Sequence, residues 1–246
     1  MLPIRVYRAD LGRLCVKACF SVLEDAEKRR AGDISNRYAR HEFVKTRALL
    51  RLLLSKHTGR PASLLRFATG ENGKPVLLGS HGVHFNVSHS DGTALVAIAS
   101  AEIGVDIERI DGNVDYAGVA QSVFSRSEIE MFRKASDARR GEVFFSIWTR
   151  KEAYLKATGA GFSCDLPKIS TASSDGVIED LGCTTGRRPQ WHAFDLPAPA
   201  NFKAALVTTA KDCRIDVVDV AVMALAPVHD AIPAAATAAA CAPSPA

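Results

Sequence analysis

Glu152 and Lys156 stand four residues apart in the run FFSIWTRKEAYLKATGAG (residues 144–161), so on a helix one lies a turn above the other on the same face. Upstream, Asp106 and Glu108 are separated by one residue in GVDIE (104–108), and on a strand both carboxylates point to one side. Carboxylates that close repel one another unless a cation joins them. With Glu152 added from the helix, the three make an all-oxygen set of the kind Mg²⁺ prefers, with its remaining positions left to water and phosphate oxygens. Lys156 is a mobile point charge suited to a phosphate oxygen. Ser88 and His89, expected in a loop after a strand, offer backbone N–H, hydroxyl and imidazole donors to the same kind of ligand. Each feature also has a plain structural account. These are a surface Glu–Lys pair on a core helix, a D-x-E at an exposed strand end, a structural histidine and, at Gly73-Lys74-Pro75, a hairpin turn with an exposed lysine. Their coincidence points to phosphate chemistry.

The elements that must position these residues follow from periodicity. Phe144, Phe145, Ile147, Trp148 and Leu155 recur at helical spacing, and Gly159 or Gly161 provides a stop. Residues 38–56 read as a second long helix with Phe43, Leu49, Leu50, Leu53 and Leu54 on its apolar face, and residues 14–30 as one further helix. Strands are expected at 4–7, 65–68, 84–87, 93–99 and 104–108, with a turn at 70–75. Residues 111–117 read as linker, and 119–124 and 127–133 as short helices, the second capped by Ser127. HFNVSHSDGTALVAIAS at 84–100 is loosely echoed by HAFDLPAPANFKAALVTTA at 192–210, each after a long helix. The expected fold class is therefore α+β, with two similar α/β halves, 1–103 and 104–225, in a pseudo-two-fold arrangement and the site in the cleft between them. Residues 226–246, APVHDAIPAAATAAACAPSPA, are Ala/Pro-rich with almost nothing bulky to pack, and read as a disordered tail.

Composition narrows the class. At 246 residues the chain can bury a sizeable core, and no uncharged apolar run is long enough to span a bilayer. The opening MLPIRVYRADLGRL carries Arg5, Arg8 and Asp10, unlike a signal peptide. The six cysteines form no CxxC, which favours a reduced, cytoplasmic protein without structural disulfides. The net charge of +4 conceals an asymmetry: residues 1–60 carry 14 Lys/Arg against 6 Asp/Glu, or +8, so the remainder sums to −4. A basic first part attracts an anionic partner such as nucleic acid, a phosphorylated small molecule or an acidic protein; a solvated helix surface accounts for it equally.

The motifs in their order resemble the 4'-phosphopantetheinyl transferase family, in its monomeric, two-half, surfactin-synthetase-activator type. That family is marked by (I/V)G(I/V)D-x-E, about forty residues, then W-(S/T/A)-x-KE-(S/A)-x-x-K; the counterparts are IGVDIE at 103–108 and WTRKEAYLK at 148–156. Gly73-Lys74-Pro75, FNVSHS at 85–90, FSRSE at 124–128 and GAGF at 159–162 also resemble family segments, so the resemblance spans roughly residues 25–210.

The resemblance implies a reaction in which coenzyme A donates its 4'-phosphopantetheine to a serine of an apo carrier protein, releasing 3',5'-ADP. It implies that Asp106, Glu108 and Glu152 hold Mg²⁺ and that Glu152 takes the serine proton, directly or through water. Lys156 would act on the transferred phosphate, Ser88 and His89 on phosphate oxygens, and Lys74 on the nucleotide end. Arg47 with Lys28, Arg29 and Arg30 would receive the 3'-phosphate. Glu42 departs from the pattern, falling where many relatives carry a basic residue. The carrier, acidic in the family's usual partners, is expected to dock on a basic face near Phe124–Glu128 and the segment 111–133. A non-catalytic coenzyme A or carrier-protein binder would not need three converging carboxylates. A nucleic-acid module would need a basic stripe interleaved with aromatics, which the chain lacks. A soluble monomer without nucleic-acid or membrane partners is expected.

Overall fold

TALVAIA at 93–99 has too few polar residues to show a face to water, and it becomes the strand on which both cores rest. In strand β5 (Thr93–Ala99), Ala94, Val96 and Ile98 turn into one core while Leu95, Ala97 and Ala99 turn into another. A computed structural model describes residues 3–70, 73–80, 82–161, 164–180 and 189–220. Strand β1 (Ile4–Asp10) is followed by helices α1 (Val16–Val22), α2 (Asp25–Asp33) and α3 (Arg37–Thr58). A small hairpin, β2 (Phe67–Thr69) with β3 (Pro75–Leu77), precedes β4 (His84–Ser90), β5 and β6 (Ile103–Arg109). Helices α4 (Tyr116–Val123), α5 (Arg126–Lys134) and α6 (Asp137–Thr158) come next. The strands β7 (Ile169–Ser170), β8 (Glu179–Asp180), β9 (His192–Asp195), β10 (Phe202–Thr208) and β11 (Ile215–Asp219) complete the order.

Two sheets lie between the two longest helices. The first has the order β11-β1-β5-β4 and the second β6-β10-β9. They meet through Ile4, Val6, Leu95 and Ala97 on one side and Ile103, Val105, Ile107 and Leu206 on the other. Helix α3 covers the outer face of the first sheet with Val44, Ala48, Leu49 and Leu53. Helix α6 covers the second, with Ala153, Leu155 and Ala157 against Ala205 and Val207. The result is an α+β fold layered helix, sheet, sheet, helix. Strand β11, late in the chain, returns to pair in parallel with β1.

Side chains close the join between the sheets where no backbone ladder does. In β4 the alternate residues Asn86, Ser88 and Ser90 accept the β6 N–H groups of Val105, Ile107 and Arg109 at 3.0, 3.4 and 3.2 Å. Strand β10 occupies the other edge of β6, so this lacing satisfies donors that a free edge would leave open. Asp91 and Gly92, with φ of 43° and 77°, form the tight turn that Asp-Gly favours between β4 and β5.

Several sequence expectations shift. The single helix of 14–30 is two, because Leu23 adopts an extended backbone and the Glu24 N–H donates to the Glu27 carboxylate, restarting the helix. Strand β4 continues past Val87 to Ser90, so Ser88 and His89 lie in the strand, not in a loop, held by the pairing with β5. Strand β2 begins at Phe67, two residues later than expected, and pairs with the strand following the Gly73 turn. Helix α5 is capped by Ser125, not Ser127: the Ser125 hydroxyl accepts the Glu128 N–H while the Glu128 carboxylate accepts the Ser125 N–H. Helix α6 starts at Asp137 and ends at Thr158, capped by Gly159, whose φ is 67°. Phe162, Cys183 and the tail 226–246 lie outside the described residues; Cys15, Cys19 and Cys213 are free thiols.

Candidate functional site

Strand alternation sends Ile103, Val105 and Ile107 into the core between the sheets, so Gly104, Asp106 and Glu108 must face α6. Gly104 makes the approach possible. A Cβ there would lie closer than real Cβ contacts to Ala153 O and Ala157 N, and 2.9 Å from Ala157 Cα, all backbone atoms of α6. Hydrogen at this position lets strand and helix backbones touch. Glu152 and Lys156 flank that contact on α6 and look toward Asp106 and Glu108.

Asp106 is buried, 1% exposed, and it is the hub of the cluster. Its Oδ1 accepts from Lys156 Nζ at 2.6 Å and from Ser88 Oγ at 2.8 Å, and Lys156 Nζ also donates to Ser88 Oγ at 2.9 Å. Its Oδ2 is buried without a hydrogen-bond partner among the described residues. Glu108 Oε2 accepts from Ser90 Oγ at 2.8 Å. Burial, then the Asp106 charge, raises the Glu108 carboxyl above its ordinary range, with the Ser90 hydrogen bond and Lys156 opposing. The Glu152 carboxyl is raised for the same two leading reasons, burial first, and Lys156 opposes.

Such an arrangement fits a hard divalent cation. It offers only oxygen donors, one of them a buried carboxylate atom without a partner among the described residues, and carboxyls whose ionisation is held back by burial first and the Asp106 charge second. Among the described residues no His/Cys/Asp/Glu group of three or more is already gathered into a ligand set. The positive charge at Asp106 is the Lys156 ammonium. Two clefts flank the row. One, of about 290 Å³, is lined by Gly73, Lys74, Pro75, Glu152 and Lys156; the other, of about 540 Å³, by Tyr38, Ser90, Glu108, Phe144 and Trp148.

The structure thus brings Ser88, Asp106, Glu108, Glu152 and Lys156 together, and sets Lys74 on the rim. Lys74 is not an exposed hairpin lysine: Nζ donates to Glu102 at 3.0 Å and to Ala157 O at 2.6 Å, tying the turn to the last turn of α6. His89 points away from Ser88, with Nδ1 3.4 Å from Glu42 Oε2 on α3. Arg47 pairs with Glu27 and lies over the Phe67 ring, 4.2 Å from its centroid. Lys28 pairs with Asp25 at 3.4 Å, and Arg29 and Arg30 are exposed on α2. In the segment expected to receive a carrier, Phe124, Ser125 and Glu128 are buried; Arg126, Ser127 and Met131 face solvent.

Residues that sequence reasoning passed over support the site from behind. Lys151 and Glu128 are 1% and 0% exposed and pair at 2.8 Å. Lys151 Nζ also donates to Leu166 O at 2.9 Å and to Ile169 O, while Glu128 Oε1 accepts the Thr171 N–H and hydroxyl, each at 2.8 Å. Burial lowers the Lys151 ammonium despite Glu128. Arg51, fully buried, does likewise for α2 and α3, donating to Glu27 at 2.6 Å and to Ala62 O at 2.7 Å. The strand signal for Asn86 and Ser90 was available: polar residues at every second place in FNVSHS. No local pattern marks Glu128 and Lys151 as partners.

Comparison with known proteins agrees with the geometry. Residues 102–208 match the family model of the 4'-phosphopantetheinyl transferase superfamily. The chain is similar to the 4'-phosphopantetheinyl transferase HetI of Nostoc sp., 34% identical over 171 residues, covering 68% of this chain and 70% of that protein. It is 29% identical over 156 residues to the 4'-phosphopantetheinyl transferase Sfp of Bacillus subtilis, covering 63% and 62%. It is 36% identical over 121 residues to the 4'-phosphopantetheinyl transferase AcpT of Escherichia coli, covering 49% and 58%. With the matched segment carrying Asp106, Glu108, Glu152 and Lys156 on two facing elements, the chain belongs to the 4'-phosphopantetheinyl transferase superfamily.

Proposed function

We propose that the protein transfers the 4'-phosphopantetheine group of coenzyme A to a serine hydroxyl of an apo acyl or peptidyl carrier protein in a Mg²⁺-dependent reaction that releases 3',5'-ADP. The observation that carries this reading is the Asp106–Ser88–Lys156 cluster with its unpartnered Asp106 Oδ2, set between two clefts in a member of this superfamily. Asp106, Glu108 and Glu152 would hold Mg²⁺, which when bound neutralises pyrophosphate charge and eases departure of the nucleotide. Lys156, 30% exposed and already reaching Asp106 and Ser88, would turn its remaining donor to the transferred phosphate. Ser88 offers its hydroxyl beside it. Glu152 would accept the serine proton at its own oxygen. Lys74 and its turn border the nucleotide end. Arg47 with Lys28, Arg29 and Arg30 would form the basic side toward the 3'-phosphate, and His89 would offer its imidazole to a phosphate oxygen.

The same reading takes 1–103 and 104–225 as two similar halves in pseudo-two-fold arrangement, with the site in the cleft between them. It is supported by α3 and α6 each covering one sheet, while β11 crosses back to β1. The protein would act as a cytoplasmic monomer on an acidic carrier docked beside Arg126 and Met131. Among the described residues no helix is long and apolar enough to cross a membrane. The test is intact-mass spectrometry of apo carriers incubated with protein, coenzyme A and Mg²⁺, beside Glu152→Gln. A pantetheine-sized gain, lost in the variant, is expected. Folded protein that binds coenzyme A but modifies no fatty-acid, polyketide or peptide carrier would instead be a non-catalytic binder.

A further inference from the structure

The three polar residues of β4 that lace it to β6 are not used alike. Asn86 accepts the Val105 N–H through its side-chain oxygen, and the residue before Val105 is Gly104, which has no side chain. Ser88 Oγ accepts the Ile107 N–H and also donates to Asp106, the residue before Ile107. Ser90 Oγ repeats the pattern one step on, accepting the Arg109 N–H and donating to Glu108, the residue before Arg109. Both donations span 2.8 Å. An amide oxygen only accepts, whereas a hydroxyl accepts and donates at once. Serine therefore stands at the two places where a carboxylate precedes the laced N–H. The N–H takes a lone pair of Oγ, an ionised carboxylate can only accept, and so the single hydroxyl proton is aimed at the carboxylate.

We propose that Ser90 is a positioning residue for the divalent-cation site, its hydroxyl holding the Glu108 carboxylate in the row with Asp106. The inference rests on the reading of Asp106, Glu108 and Glu152 as cation ligands. Asp106 has two donors, Ser88 and Lys156, while Ser90 is the one hydrogen-bond partner of Glu108 among the described residues. Glu108 and Ser90 both line the cleft of about 540 Å³, so a Glu108 side chain released from Ser90 has room to swing aside. The Asp106 charge repels it in that direction. Hydrogen bonds to ligating carboxylates carry roughly ten- to a hundredfold in metal affinity. The Arg109 N–H is exposed, so water replaces the acceptor that Ser90→Ala removes, and the fold does not depend on it.

The experiment measures Mn²⁺ binding to the full chain from the loss of the free-ion EPR signal, with and without saturating coenzyme A, against coenzyme A alone as blank. Ser90→Ala should weaken binding by roughly tenfold or more, with its urea midpoint close to that of the wild type. Ser90→Thr, which keeps the hydroxyl on a residue that strands favour, should bind as the wild type does. Unchanged Mn²⁺ affinity in Ser90→Ala, or a Ser90→Thr variant as weak as Ser90→Ala, overturns the inference and leaves the metal site standing. Loss of affinity only in step with a lowered urea midpoint also overturns it, since Ser90 would then serve the fold alone. A wild type that binds no Mn²⁺ under either condition refutes the cation reading, and this inference with it.

Discussion

Gly104→Ala tests the way the site is assembled. The added methyl would press on Ala153 O and Ala157 N and lie 2.9 Å from Ala157 Cα, and none of these can rotate away because all belong to the α6 backbone. Strand and helix must part by more than about 1 Å before the closest contacts reach ordinary separation. Overpacking of this kind costs typically about 1–3 kcal/mol, or roughly 2–4 °C in Tm per kcal/mol for a chain of this size. The functional cost should be larger in proportion. Asp106 follows Gly104 by two residues on β6, while Glu152 and Lys156 adjoin Ala153 and Ala157 on α6, so the displacement passes straight into the 2.6 Å Lys156–Asp106 contact. A misplacement of about 1 Å at reacting groups costs on the order of 100-fold in rate. Urea denaturation and initial rates of carrier modification by intact mass measure the two effects on one preparation. If the variant keeps wild-type stability and rate, the close β6–α6 contact does not set the geometry of the site.

Breaking the Lys151–Glu128 pair with Lys151→Met should cost about 3–5 kcal/mol, because Glu128 is left charged and buried. Adding Glu128→Gln should recover part of that loss, and a double variant less stable in urea than Lys151→Met alone would contradict the account. Mg²⁺ should raise Tm more at neutral pH than in acid. Glu108 and Glu152 have folded-state affinities for protons raised above their ordinary 4.5, so their stabilising contribution is complete below that value and is lost as pH rises through the raised folded values. Mg²⁺ offsets the loss only where they are ionised. A thermal shift that is equal at every pH, or larger in acid, would remove these two carboxylates from the metal site.

The placement of the carboxylates and Lys156 was more legible in the chain than what supports them. Asp106 and Glu108 could be put on one face from strand period alone, and Glu152 and Lys156 from helix period, because these arrangements are local. The partners of Arg47, Lys74 and His89 could not be read, since each lies on another stretch of the chain: Glu27 is 20 residues from Arg47, Glu102 is 28 from Lys74, and Glu42 is 47 positions before His89. Boundaries failed where side chains intervened. Glu27 restarts a helix that periodicity alone would run through, and Ser125 outcompetes Ser127 as a cap because Glu128 stands three residues beyond it. Strand β4 was cut short at Val87 because Ser88–Ser90 look like loop residues until β6 supplies the N–H groups their hydroxyls accept.

Lys151 and Glu152 show how closely the buried support and the carboxylate row are joined in this fold. Consecutive residues on a helix point about 100° apart. Lys151 turns inward to Glu128 and the carbonyls of Leu166 and Ile169, and Glu152 therefore turns to the cleft. The buried pair fixes the rotation of α6 about its axis, Gly104 fixes its distance from β6, and Lys74 fastens its last turn through Ala157 O. Three independent restraints on one helix hold Glu152 and Lys156 against Asp106. Lys156 and the Ser88 and Ser90 hydroxyls oppose the like charges there, and the surrounding fold keeps the row in place.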